Sequence, residues 1–252
     1  IVARYFVEHQ EPYLTASDHR AAMRDYISEF KVSLHTQLDL IGMHFPERPK
    51  PWVVVEGLNE IYDSEWDHVL RGVSTDSAYI VELHEEFGDK VAAGVFTAPI
   101  GNPHESQYHL LAPLAELAMQ YGAYFSYHGY WYVQDGLHTG WKWHAGRWTE
   151  IDDVLTAAGL YVPWCCSESG AIHSCIDGWR DATVYGGDWA RTMQDIFAFE
   201  DKVAEWNATH GDRFRGAVYF TTGWPDDKKW KTFQVQETQL IAWRDAILAR
   251  YP

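Results

Sequence analysis

The sequence predicts an α/β fold built on a buried parallel sheet, and three observations carry that prediction. Residues 52–60 read WVVVEGLNE. An apolar, mostly β-branched run of this kind suits a strand buried on both faces. Residues 161–170 read YVPWCCSESG, a second apolar run that ends in a carboxylate, Glu168. Between and around these runs, amphipathic helical patterns alternate with apolar strands, the order of a βα chain. A length of 252 residues suits one domain, 1–252, and about 250 residues is typical of a (β/α) barrel.

Residues 1–7 (IVARYFV) read as a strand interrupted by Arg4. An inward Arg4 requires a carboxylate partner, whereas an outward one snorkels into the helix layer. Ser17 and Asp18 open a helical pattern with Ala22, Tyr26, Ile27, Phe30 and Leu34 on one side, ending near residues 38–41. The alternative of a strand at 38–43 lacks a crossover helix before Trp52. Pro46, Pro49 and Pro51 form a stiff lead into the central strand. After an acidic loop at 63–67, a helix is expected at 77–87, stopped by Gly88. A strand at 91–97 and its rim loop, 98–104, follow. Next come a helix at 108–121 ended by Gly122, a strand at 124–131 and a long loop to Trp148. A helix at 149–158 precedes the strand that ends at Glu168. A second long loop, 171–188, leads to an amphipathic helix at 189–209, a last strand at 216–222 and a closing helix at 238–249. The count is six strands with following helices, whereas a full barrel has eight.

Composition narrows the chemistry. Acidic residues number 36 against 20 basic, a net charge of −16. That balance argues against nucleic acid and disfavours anionic membranes and polyanionic sugars. It suits a neutral glycan. Tryptophan is abundant, at 13 residues, and its faces stack on pyranose rings, although packing must claim most aromatics. No apolar run reaches membrane-spanning length, and no signal peptide is visible. The three cysteines, Cys165, Cys166 and Cys175, are an odd and sparse set. They read as buried thiols, with a bridge from Cys175 to the 165–166 pair left open. No zinc-type Cys/His spacing occurs.

Asn59 and Glu60 stand where the central strand runs out into a loop. In α/β folds that edge of the sheet carries chemistry, although the pair could instead cap the next helix. With Glu168, two carboxylates lie on the rims of two parallel strands. Such a pair can divide into a protonated acid and an ionised nucleophile.

The ordered set goes further. Arg4 sits in an early VARYF strand, EGLNE follows at 56–60, and Gly101-Asn102-Pro103 follows a strand. His128-Gly129-Tyr130 ends another, ESG stands at 168–170, and Trp230-x-x-Phe233 comes late. Over the whole chain this set resembles clan A of the retaining glycoside hydrolases, and within it a group of bacterial cellulase-like catalytic domains. The resemblance implies a TIM-type barrel, here incomplete, with about six βα units corresponding to strands 3–8. It implies a β-glycosidase acting by double displacement, with Glu60 as acid/base and Glu168 as nucleophile. Asn59 would bond the sugar 2-hydroxyl, with Arg4, His128, Tyr130 and Trp224 supporting the site. Trp131, Trp141, Trp143 and Trp148 are candidate sugar platforms. Neither metal nor cofactor is implied. Two other classes are open: a weakly active or inactive carbohydrate-binding or structural barrel, and a metal-dependent barrel hydrolase suggested by 13 histidines. The latter usually shows a His-x-His on its first strand, which this sequence lacks. A homodimer is expected, because the apolar edges at 1–7 and 216–222 invite pairing. Sugar identity, linkage and endo or exo action depend on loop shape.

Overall fold

The computed structural model describes residues 2–5, 9–134, 136–172, 178–219 and 235–250. Among the described residues six strands lie in one sheet in sequence order: β1 (Val2–Arg4), β2 (Val53–Glu56), β3 (Val91–Ala98), β4 (Tyr124–Tyr132), β5 (Trp164–Ile172) and β6 (Phe214–Tyr219). The pairs β1–β2, β2–β3 and β3–β4 are parallel. Every residue of β3 is buried, which is why its sequence reads as a continuous apolar run. In register, Arg4 stands beside Glu56, and Glu56 beside Gly94.

The chain divides into two compact units. The first comprises Ile1–His128, Trp148–Ser167 and Arg213–Gly216; the second comprises Gly129–Arg147, Glu168–Asp212 and Ala217–Pro252.

In the first unit, the helices between β1 and β2 are α1 (Glu11–Leu14), α2 (His19–Ser28) and α3 (Lys31–His44). The single helix expected across 22–41 is therefore two, and residues 38–43 are helical. The break falls at Phe30, which is buried and stacks on Tyr5 with ring centroids 4.2 Å apart. Helix α4 (Trp66–Phe87) starts well before the expected residue 77. Asp63 accepts from the Glu65 N–H at 2.7 Å and pairs with His68, ordering the entry to the helix. Val69, Val73, Asp76, Ile80, Leu83 and Phe87 form the buried stripe of α4, at alternating spacings of four and three. The expected helix at 108–121 opens as a 3₁₀ segment, Glu105–Leu111, followed by α5 (Ala112–Tyr121). Pro113 suits the start of an α-helix because it has no N–H to leave unbonded there. Gly122 closes α5 in the left-handed region, at φ 69°, where a glycine has no Cβ clash. Helix α7 (Trp148–Ala157) is fixed to the sheet by buried Asp152, which accepts from both Arg213 Nη1 and Nη2 at 2.7 Å and from Trp164 Nε1 at 2.8 Å.

The second unit holds the ends of β4, β5 and β6 together with α6 (Gly136–Thr139), α8 (Trp189–His210) and α9 (Glu237–Arg250). Its core is aromatic. Trp131 stacks on Phe199, Phe199 meets Tyr219 edge-on, and Tyr219 meets Trp243. Strand β5 begins at Trp164, after Pro163, and runs on to Ile172. Val133 N–H donates to Ile172 O at 3.1 Å, so pairing continues through Ser169 and Gly170. Glu168 therefore lies inside a strand rather than at its rim. Among the described residues no helix is long and apolar enough to cross a membrane.

Candidate active site

The turn after β2 is held from three directions within the first unit. Tyr26 donates its hydroxyl to Gly57 O at 3.3 Å, and Gln10 Oε1 accepts from Asn59 N–H at 2.6 Å. Thr97 donates to Leu58 O and accepts from Glu60 N–H at 3.3 Å. Thr97 reaches the turn because β3 is irregular here. The β3–β4 register shifts between Val95 and Ala98, and Phe96 adopts φ 59°. Glu60 adopts φ 53°, a conformation that L-residues other than Asn and Asp seldom hold. Strain of this kind persists where the surroundings over-determine it, which is a feature of functional sites. Helix α4 is capped at Glu65 and starts at Trp66, so Asn59 and Glu60 do not cap it.

Asp76 lies beneath this turn, fully buried on the apolar stripe of α4. Its carboxyl accepts from Phe96 N–H at 2.8 Å and from the Tyr62 hydroxyl at 2.7 Å. Burial pushes it up to about 7, against the pull of those two donors and with a further push from Glu56. The folded state thus holds a proton between about pH 4 and pH 7 that the unfolded chain has released. Stability should fall as pH rises through that window, by up to roughly 4 kcal/mol. Urea unfolding at pH 5 and pH 8 tests this, with Asp76→Asn expected to flatten the dependence. An equal slope in wild type and variant would contradict it.

The side chain of Glu60 is 44% exposed, and its Oε1 lies 2.8 Å from Nδ1 of His128, which is fully buried on β4. On the other side of that ring, Nε2 lies 2.9 Å from Arg4 Nη2. Arg4 has the inward orientation, and the carboxylate it meets is Glu56, at 2.6 Å. Arg4 also lines a small cavity with Gln10, Tyr26 and Asn59. Asn59 Oδ1 is buried and has no hydrogen-bond partner among the described residues.

In the second unit, Glu168 Oε2 accepts from the Tyr130 hydroxyl at 2.7 Å. This bond fixes the orientation of the carboxylate. Trp131 and Trp148 are buried, at 1% and 0% exposure. Trp131 lies against Phe199, and in the first unit Trp148 lies against Trp164 and Phe214. Their faces are covered by protein, so the expectation that they serve as sugar platforms does not hold. Trp141 packs on Gly146, where an added Cβ would fall 2.0 Å from the indole, and its ring meets Phe199. Trp143 is 59% exposed and keeps a face available, with the Arg147 guanidinium 5.6 Å from the ring centroid. Cys165 and Cys166 are buried thiols. Trp224, Trp230, Phe233 and Cys175 lie outside the described residues.

No family model and no curated protein sequence matches the chain. Solved structures do. An endo-1,4-β-D-mannanase from Thermotoga petrophila aligns over 95% of this chain and 68% of its own, at 11% identity and a TM-score of 0.50. The fold is of the TIM-barrel type. An endo-β-1,4-glucanase from Xanthomonas axonopodis pv. citri aligns over 98% of this chain and 72% of its own, at 9% identity and a TM-score of 0.44. The described residues supply six strands in one sheet.

Gln10, Glu56, Thr97 and Asp76 were not picked out by sequence reasoning. Two of them carried a signal. Glu56 is a charge inside an apolar strand run, and Asp76 is a charge on an apolar helical stripe.

Proposed function

We propose that the protein is a retaining β-glycosidase of the clan A type, acting on a neutral oligo- or polysaccharide. One observation carries the reading. His128 and Tyr130 both belong to β4. His128 bonds to Glu60, and Tyr130 bonds to Glu168. Each carboxylate of the expected pair thus has a hydrogen-bond partner within its own unit.

In this reading Glu60 protonates the departing glycosidic oxygen while Glu168 attacks the anomeric carbon. Glu60 then takes a proton from water, which displaces Glu168. The Tyr130 hydroxyl orients Glu168 for attack. The buried Asn59 amide oxygen, lacking a partner among the described residues, marks a polar group placed to meet a sugar hydroxyl. Trp143 is the platform candidate with an exposed face.

Hydrolysis of aryl β-glycosides, followed by proton NMR of the first-formed anomer, tests this. The β-anomer is expected first. Release of the α-anomer would contradict retention, and glycan binding without turnover would favour an inactive carbohydrate-binding barrel. The homodimer belongs to the same proposal. Among the described residues strands β1 and β6 end the strand order, and Val218 on β6 is 43% exposed, as suits an edge that seeks a partner. Light scattering should give the mass of two chains, and the mass of one would remove that part.

A further inference from the structure

We propose that Glu56 is a positioning residue for Glu60: by clamping Arg4, it fixes His128 in the tautomer whose Nδ1–H donates to the Glu60 carboxylate. The inference rests on the reading of Glu60 as the acid/base. It follows from what each group can do in a hydrogen bond. A guanidinium has donors and no acceptor. With Arg4 Nη2 at 2.9 Å, His128 Nε2 must accept. The ring proton then sits on Nδ1, which faces Glu60 Oε1 at 2.8 Å and donates to it. This donation holds one carboxylate oxygen and leaves Oε2 for the proton transfers of the two half-reactions.

Arg4 is in turn held by Glu56. Its Nε donates to Glu56 Oε2 at 2.6 Å, and its Nη2 also lies 3.3 Å from Ser167 Oγ. Glu56 is 1% exposed, and its other oxygen accepts from the Ser126 hydroxyl. Ser126 faces the Cys165 thiol at 3.5 Å. Burial pushes that thiol up to about 12, so it keeps its proton and serves as a donor. Gly94 makes room for Glu56: a Cβ there would come within 3.2 Å of Glu56 Cγ. Each group in this series is thus oriented by the one before it. A buried ion pair is a poor way to gain stability, since apolar replacements often serve as well. Setting the direction of one proton is a role that apolar residues could not fill.

The test combines ring nitrogen NMR with kinetics on the full chain. In ¹⁵N-histidine-labelled protein, the His128 signals are identified by their loss in His128→Asn. Wild type is expected to show a protonated Nδ1 and a bare Nε2. Arg4→Met combined with Glu56→Gln removes the two charges together and avoids stranding either one. In that variant His128 is expected to populate the other tautomer, and kcat on an aryl β-glycoside to fall on the order of tenfold with KM unchanged. A wild-type ring protonated on Nε2 overturns the proposal, and that measurement needs no variant to fold. An unchanged tautomer or an unchanged kcat in the folded double variant also overturns it. If wild type shows the expected tautomer but turns over no glycoside, the glycosidase reading fails while the clamp itself stands.

Discussion

Glu168→Gln is expected to abolish turnover while leaving the protein folded. Glutamine matches the shape of glutamate, and its amide oxygen can still accept the Tyr130 hydroxyl that holds Glu168 Oε2 at 2.7 Å. Glu168 is partly exposed rather than buried, so its replacement removes little from the core. The chemistry suffers because a neutral amide cannot attack an anomeric carbon. Loss of a covalent nucleophile costs on the order of 10⁴-fold or more in kcat, while stability should stay within about 0.5 kcal/mol. Steady-state rates on dinitrophenyl β-glycosides, read beside thermal unfolding, separate the two effects. A variant that kept a tenth of its turnover would show that Glu168 is not the nucleophile.

Glu60→Ala is expected to slow the enzyme according to its leaving group. Proton donation to a poor leaving group is worth roughly 10²–10⁴-fold, so unactivated substrates should suffer most. A dinitrophenolate departs unaided, and there the glycosyl-enzyme should form but hydrolyse slowly. Azide is small enough to enter where the carboxylate stood, and it needs no base. It should restore turnover of the activated substrate and give a β-glycosyl azide. Equal losses across leaving groups, with no azide product, would remove Glu60 from the acid/base role. The alanine keeps the strained turn, since φ 53° suits alanine no better than glutamate, so the comparison reads chemistry rather than a relaxed loop.

Much of the fold was legible because parallel strands buried on both faces write themselves as apolar runs. WVVVEGLNE gave β2, and Glu60 follows from where that run stops. Glu168 was found by the same signal, but its place in the strand was not. Ser169-Gly170 reads locally as a break, and only the bond from Val133 to Ile172 carries β5 through it. The support beneath the turn was hidden for a related reason. Gln10, Thr97 and Asp76 reach it from distant parts of the chain, and the Phe96 backbone that aims Thr97 departs from regular strand geometry. The need for a carboxylate on Arg4 could be stated from charge alone, and register beside Glu56 identified it. The tryptophans misled because composition counts rings without saying which faces are covered. Trp131 and Trp148 belong to cores, and only Trp143 among the loop candidates is exposed.

Covalent trapping tests the central claim most directly. A 2-fluoro β-glycoside with an activated leaving group destabilises the transition state of the second step more than it prevents the first, so the glycosyl-enzyme accumulates. Mass spectrometry of the intact protein should show one 2-fluoroglycosyl adduct, and peptide mapping should place it on Glu168. Glu168→Gln should take no label. Label on another residue, or none with any 2-fluoro sugar on a chain that hydrolyses the parent glycoside, would contradict the account.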